Sequence, residues 1–117
     1  MNSLSTHVLD TSRGIPAAGV SVTLEFKGSG ETWVKVGSGV TGNDGRVANL
    51  FSAGVEFSPG MYRLHFSVSQ YFTALKDPVF YPWVSIVFEK HPGLEDDKHF
   101  HIPLILSPFG YSTYRGS

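Results

Sequence analysis

Cysteine is missing altogether from the 117 residues. Disulfides, thiolate zinc sites and cysteine nucleophiles are therefore excluded, and a reducing compartment is permitted without being required. Charge is scarce: Asp, Glu, Lys and Arg make up 16% of the chain, and the formal net charge is −1. The dense positive patch by which nucleic-acid binders neutralise phosphates is absent, so no nucleic-acid partner is expected. Long apolar runs are lacking too. The longest, VFYPWVSIVF from Val79 to Phe88, is broken by Pro82 and Ser85 and is about half the length a membrane-spanning helix needs. No membrane association is expected. The N-terminus shows no basic start, apolar stretch and small-residue cleavage site in succession, and Arg115-Gly116-Ser117 is not the Ser-Lys-Leu address of peroxisomes. The expectation is one soluble, cytoplasmic domain over residues 1–117, with a peroxisomal location left open for a eukaryotic source.

Against these absences stand 13 glycines, seven prolines and a hydrophobic period of two. In VSVTLEF the apolar residues fall at Val20, Val22, Leu24 and Phe26, and in MYRLHFSV at Tyr62, Leu64, Phe66 and Val68. Strict alternation of this kind predicts half-buried strands. Less regular versions run from Leu4 to Asp10, Thr32 to Val40, Trp83 to Glu89 and Phe100 to Ser107. Turn residues separate them at Arg13 to Gly19, Gly42 to Gly45, Ser58 to Gly60 and His91 to Asp97. Only QYFTALK, Gln70 to Lys76, suits a short helix. The fold class is all-β, an antiparallel sandwich.

The same alternation says which way reactive side chains point. Phe100, Ile102, Leu104 and Leu106 share one face, so His99, His101, Pro103, Ile105 and Ser107 share the other. In the first strand, Leu4 and Val8 join the core and turn His7 to the opposite side with Ser5 and Leu9. Two strands thus each present a histidine on a face that is neither core nor plainly wet. His99 and His101, with His7 as a third ligand, would suit a hydrolytic zinc site, although an isolated His-x-His is a weak signal and no acidic residue stands at ligand spacing. His65 and His91 read as structural. Arg46 closes the turn GNDGR, where Asp and Gly accept the positive backbone angles that tight turns demand; on the turn alone it is a solvated arginine. The final YSTYRGS, Tyr111 to Ser117, carries tyrosine and arginine, residue types of interfaces and pockets, or is an ordinary edge strand.

Taken together, LSTHVLDTSRGIPAAGV (Leu4 to Val20), GNDGR, PGMYRL (Pro59 to Leu64), FYPWVSIVF (Phe80 to Phe88) and HFHIPLILSPFGYSTYRGS (His99 to Ser117) resemble the transthyretin-related 5-hydroxyisourate hydrolases. The terminal Tyr-Arg-Gly-Ser is the most specific part of the resemblance. It implies a transthyretin-like sandwich of two four-stranded sheets with one short helix, assembled as a homotetramer, a dimer of dimers whose central channel holds the sites. It implies His7, Arg46, His101 and Ser117 as the catalytic set, with His7, Arg46 and Tyr114 contacting substrate, and neither metal nor cofactor. The implied reaction belongs to urate catabolism: water adds to a ring carbonyl of 5-hydroxyisourate and the adjacent C–N bond breaks, giving 2-oxo-4-hydroxy-4-carboxy-5-ureidoimidazoline. His101, oriented by Ser117, would activate the water, Arg46 would hold substrate oxygens, and His7 would bond the ring; which histidine is the base stays open. The alternative is a non-catalytic carrier of the thyroid-hormone-binding type. HPGLEDDK, His91 to Lys98, is an acidic insertion relative to the family, and His65 and Trp83 stand where no particular family residue is expected.

Overall fold

In the computed structural model, which describes residues 3–93 and 99–116, the period-two pattern becomes two stacked sheets. Strand β1 (Ser3–Asp10) is the clearest case: Leu4, Thr6, Val8 and Asp10 are buried, while Ser3, Ser5, His7 and Leu9 are half-buried on the opposite face. The chain continues through β2 (Ile15–Pro16), β3 (Ser21–Lys27), β4 (Val34–Val40), β5 (Arg46–Val47), β6 (Gly60–Ser67), helix α1 (Ser69–Ala74), β7 (Val84–Lys90), β8 (His99–His101), β9 (Leu104–Ser107) and β10 (Gly110–Thr113). Leu4, Val8, Phe100, Leu104 and Leu106 of one sheet join Val22, Leu24, Leu64 and Phe66 of the other in a single buried core. Among the described residues, no helix is long and apolar enough to cross a membrane.

One sheet is the expected antiparallel four, in the order β4-β3-β6-β7. The other contains six segments that occupy four strand positions. β1 is central, β2 and β5 lie end to end along one edge, β8 and β9 lie end to end along the other, and β10 follows β9. β8 and β9 run parallel to β1, so this sheet is mixed rather than purely antiparallel. The single strand expected from Phe100 to Ser107 divides at Ile102-Pro103 because Pro103 has no amide hydrogen to give the ladder. Side chains bridge the gap: the Thr6 hydroxyl donates to the Ile102 carbonyl at 2.7 Å, and the Thr113 hydroxyl to the Pro103 carbonyl at 2.7 Å. His101 is thereby held just before a stapled break.

Helix α1 starts one residue earlier than the sequence suggests and stops two earlier. It buries Phe72 and ends where Lys76 turns left-handed at φ 61, its amide and that of Asp77 bonding back to Thr73 and Phe72. The helix is tied to β1 through Asp10, whose buried carboxylate accepts from the Ser12 hydroxyl (2.6 Å), the Tyr71 hydroxyl (2.6 Å) and the Arg13 guanidinium (3.2 Å), while Arg13 also meets Asp77 at 2.5 Å. Burial pushes the Asp10 carboxyl up, but the bonds from Ser12, Tyr71 and Arg13 outweigh it and hold the group below its usual value. A lowered native pKa contributes stability that is fully present above the unfolded value near 3.9 and is lost as pH falls from there through the native value. Asp10→Ala, which also leaves the Tyr71 hydroxyl unpaired, is expected to cost about 2–4 kcal/mol. Tyr71→Phe is expected to cost about half as much. Denaturant unfolding at pH 7 and pH 3.5 checks both, and the Asp10→Ala deficit should shrink at the lower pH.

Candidate active site

The outward face of the mixed sheet gathers the reactive side chains. Strand register sets Arg46 of β5 directly across from His7 of β1, and on the other flank sets His101 of β8 across from Ser5. Ser5 and His7 are two residues apart and so share a face. Arg46, His7 and His101 therefore form a row on one face across three adjacent strands.

Arg46 is delivered by the turn Gly42 to Arg46. The Gly45 amide donates to the Gly42 carbonyl at 2.9 Å, the Gly42 amide to the Arg46 carbonyl at 3.1 Å, and the Arg46 amide to Asp44 Oδ1 at 3.0 Å. The turn is pressed onto β1, with the Val8 amide donating to the Gly45 carbonyl at 2.8 Å. Gly45 has φ +77, and a Cβ there would come 2.5 Å from the Val8 carbonyl oxygen and 3.2 Å from His7 Cδ2. Only glycine allows this approach, by which the turn covers the edge of the His7 ring. His7 Nε2 is buried and has no hydrogen-bond partner among the described residues. Buried polar atoms are rarely orphaned, so this nitrogen lacks the partner that a folded interior usually supplies.

His101 is half-buried, with Nδ1 2.7 Å from Ser5 Oγ. Burial, followed by the positive charge of Arg46 and the imidazoles of His7 and His99, lowers its pKa below the ordinary 6.5. The ring is thus neutral at pH 7, and because Nδ1 faces Ser5, Nε2 is the nitrogen left to meet a substrate. The tail folds back onto this residue: the Gly116 amide donates to the His101 carbonyl at 2.7 Å, and a Cβ on Gly116 would lie 2.6 Å from His101 Cδ2. Ser117 lies outside the described residues. Tyr114 is exposed and lines a groove of about 220 Å³ with Ile86, Phe100, Thr113 and Arg115. His65 sits on the other sheet, 3.4 Å from Ser85 Oγ, and His91 lies 3.8 Å from Glu89. Ser5 is the partner that the sequence did not reveal.

A neutral imidazole, an arginine fork and an unpaired second imidazole on one surface can bind a small oxygen-rich molecule and activate water against it. A family model described as HIUase/Transthyretin family matches residues 4–116. A 5-hydroxyisourate hydrolase from Mesorhizobium japonicum is 44% identical over 119 residues, covering 97% of this chain and 91% of that protein. The Arabidopsis thaliana uric acid degradation bifunctional protein TTL is 43% identical over 97% of this chain, which spans only 37% of that protein's length. Among solved structures, Klebsiella pneumoniae 5-hydroxyisourate hydrolase superposes with TM-score 0.82 at 36% identity over 100% of both chains. Sea bream transthyretin in complex with thyroxine superposes with TM-score 0.86 at 31% identity, over 97% of this chain and 94% of the other. The backbone resembles the hydrolase and the thyroxine-bound transthyretin alike, so the side chains on the outer face must distinguish them.

Proposed function

The chain belongs to the HIUase/Transthyretin family, and we propose that within it the protein is the hydrolase, opening the six-membered ring of 5-hydroxyisourate in urate degradation. The observation that carries this reading is the row Arg46, His7 and His101 on one outer face. A hormone-type carrier needs an apolar surface there, and this one is polar and partly cationic.

The reaction needs a base for water, a donor for the oxyanion and a proton for the leaving nitrogen. His101, neutral at pH 7, takes the water proton at Nε2 and returns it to the nitrogen as the C–N bond breaks. Arg46 offers its planar fork to the substrate's oxygens and to the charge that develops on the attacked carbonyl. His7, between them, bonds the ring. Ser117 is assigned the orienting role at His101, supported by the contact of the preceding Gly116 with that ring, and Tyr114 a substrate contact. Substrate generated in situ by urate oxidase is expected to vanish far faster with the protein than by spontaneous decay, giving an optically active product. Unchanged decay at high protein concentration would defeat the enzyme reading.

A homotetramer and a cytoplasmic location, with residues 1–117 acting as one domain, belong to the same proposal. Support for assembly comes from β7 and β10, the edge strands of their sheets, and from Phe80 and Phe109, 62% and 66% exposed. Open edges and exposed aromatics call for cover. Arg46 is exposed in the single protomer, and a facing subunit would dry the site and strengthen its electrostatics. Light scattering is expected to give four times the chain mass; a fully active monomer would contradict it.

A further inference from the structure

We propose that Ser5 and His99 form a proton relay that connects His101 to solvent. The inference rests on the hydrolase reading and deepens it. Ser5 Oγ is 2.7 Å from His101 Nδ1 and 3.4 Å from His99 Nε2, the second at the long limit of a hydrogen bond, and His99 Nδ1 is bonded to Ser3 Oγ. His99 is exposed whereas His101 is half-buried. β1 supplies both serines, and the parallel register Ser3 to His99 and Ser5 to His101 makes the ladder of alternating hydroxyl and imidazole groups. A hydroxyl has one proton, so Ser5 accepts from one imidazole and donates to the other. That is the requirement for passing a proton along.

The chemistry supplies a reason for such a path. Hydrolysis places the hydroxyl of water on the carbonyl carbon and its other hydrogen on the leaving nitrogen. The carboxylic acid formed is ionised at neutral pH, so each turnover releases one net proton inside the site. His101 Nε2 takes it, the Nδ1 proton moves to Ser5 Oγ, and the Ser5 proton moves to His99 Nε2. The cationic His99 donates from both ring nitrogens, to Ser3 and Ser5, until it gives its extra proton to solvent. The relay resets in the emptied site when the His101 Nε2 proton leaves to water, Ser5 returns its proton to Nδ1 and takes another from His99, and His99 is reprotonated by solvent, so that two protons leave, one returns, and one net proton is released per turnover. The charged and titratable groups facing His101 are Arg46 from β5, His7 from β1 and His99 from its own strand, and all three disfavour a proton resting on it.

Ser5 and His99 are positioning residues in this scheme. In weakly buffered solution, His99→Gln is expected to lower kcat roughly tenfold with KM held, the scale of losing one proton-transfer partner. Free imidazole should restore it. Ser5→Ala should lower kcat by a similar factor, and Ser5→Thr, which keeps the hydroxyl, should not. Loss in His99→Gln that imidazole leaves unchanged, or kcat within about twofold of the parent in both His99→Gln and Ser5→Ala, overturns the relay. A second arm does not depend on turnover: long-range ¹H–¹⁵N spectra of the imidazoles should show the His101 tautomer balance and titration changing in Ser5→Ala, with circular dichroism unaltered. If the parent protein has no hydrolase activity, the proposed function fails and this arm alone decides the relay. An unchanged His101 spectrum overturns it.

Discussion

His101→Asn is expected to lower kcat by roughly 10²- to 10⁴-fold while leaving the fold intact, the range associated with removing a positioned acid–base group. The fold should tolerate the change because the residue is only half-buried and its backbone is held independently by the pairing of β8 with β1 and by the Gly116 amide. A pH signature accompanies the loss. Burial and the neighbouring Arg46, His7 and His99 lower the His101 pKa, so more of the base is unprotonated at pH 6.5 than of an ordinary histidine, and activity falls as pH drops through a midpoint below that value. In His101→Asn this acid limb should vanish from the residual rate. The tail is tested alongside: deleting Gly116 and Ser117 removes the 2.7 Å bond to the His101 carbonyl and is expected to lower turnover roughly ten- to a thousand-fold. Combined with His101→Asn the losses should not add, because groups acting as a unit are non-additive. Near-normal turnover in the truncated protein would leave the tail a structural role alone.

What the residues disclosed follows what alternation can encode. A period of two fixes which face a side chain takes, so the outward direction of His7 and His101 and the burial of Leu4, Val8, Phe100 and Leu104 were legible, and so was the turn carrying Arg46. The resemblance to the hydrolases then singled out His7, Arg46 and His101, and the sheet brings these three together. Alternation does not encode partners. That β1 would pair with β5 on one side and β8 on the other, placing Ser5 beside His101, depends on a chain path assembled over 90 residues of separation, and Ser5 offered no signal of its own. The two-residue strands β2 and β5 were hidden for another reason: a segment of two residues has no period. The Pro103 break was visible in composition, but its consequence depended on whether Thr6 and Thr113 stood ready to satisfy the neighbouring carbonyls.

Arg46 is where loss of charge and loss of geometry can be separated. Arg46→Ala is expected to lower kcat by roughly 10²- to 10³-fold, the cost of losing a donor aimed at a developing oxyanion. Arg46→Lys should be almost as slow, because a lysine provides a point charge and cannot present two parallel donors to substrate oxygens. The two variants should differ in their pH profiles. Arg46 is the largest charged contributor to the depressed His101 pKa after burial itself; removing it makes protonation easier, so the acid limb of Arg46→Ala should move upward toward 6.5, while Arg46→Lys should keep the parent limb. Both substitutions leave the Gly42 to Arg46 turn in place, since its bonds run through the backbone and Asp44, and the exposed side chain contributes little to the core. kcat and kcat/KM measured from pH 5 to 9 for the parent and both variants check this. An alanine variant with parental kcat, or with an acid limb moved downward, would remove Arg46 from the site.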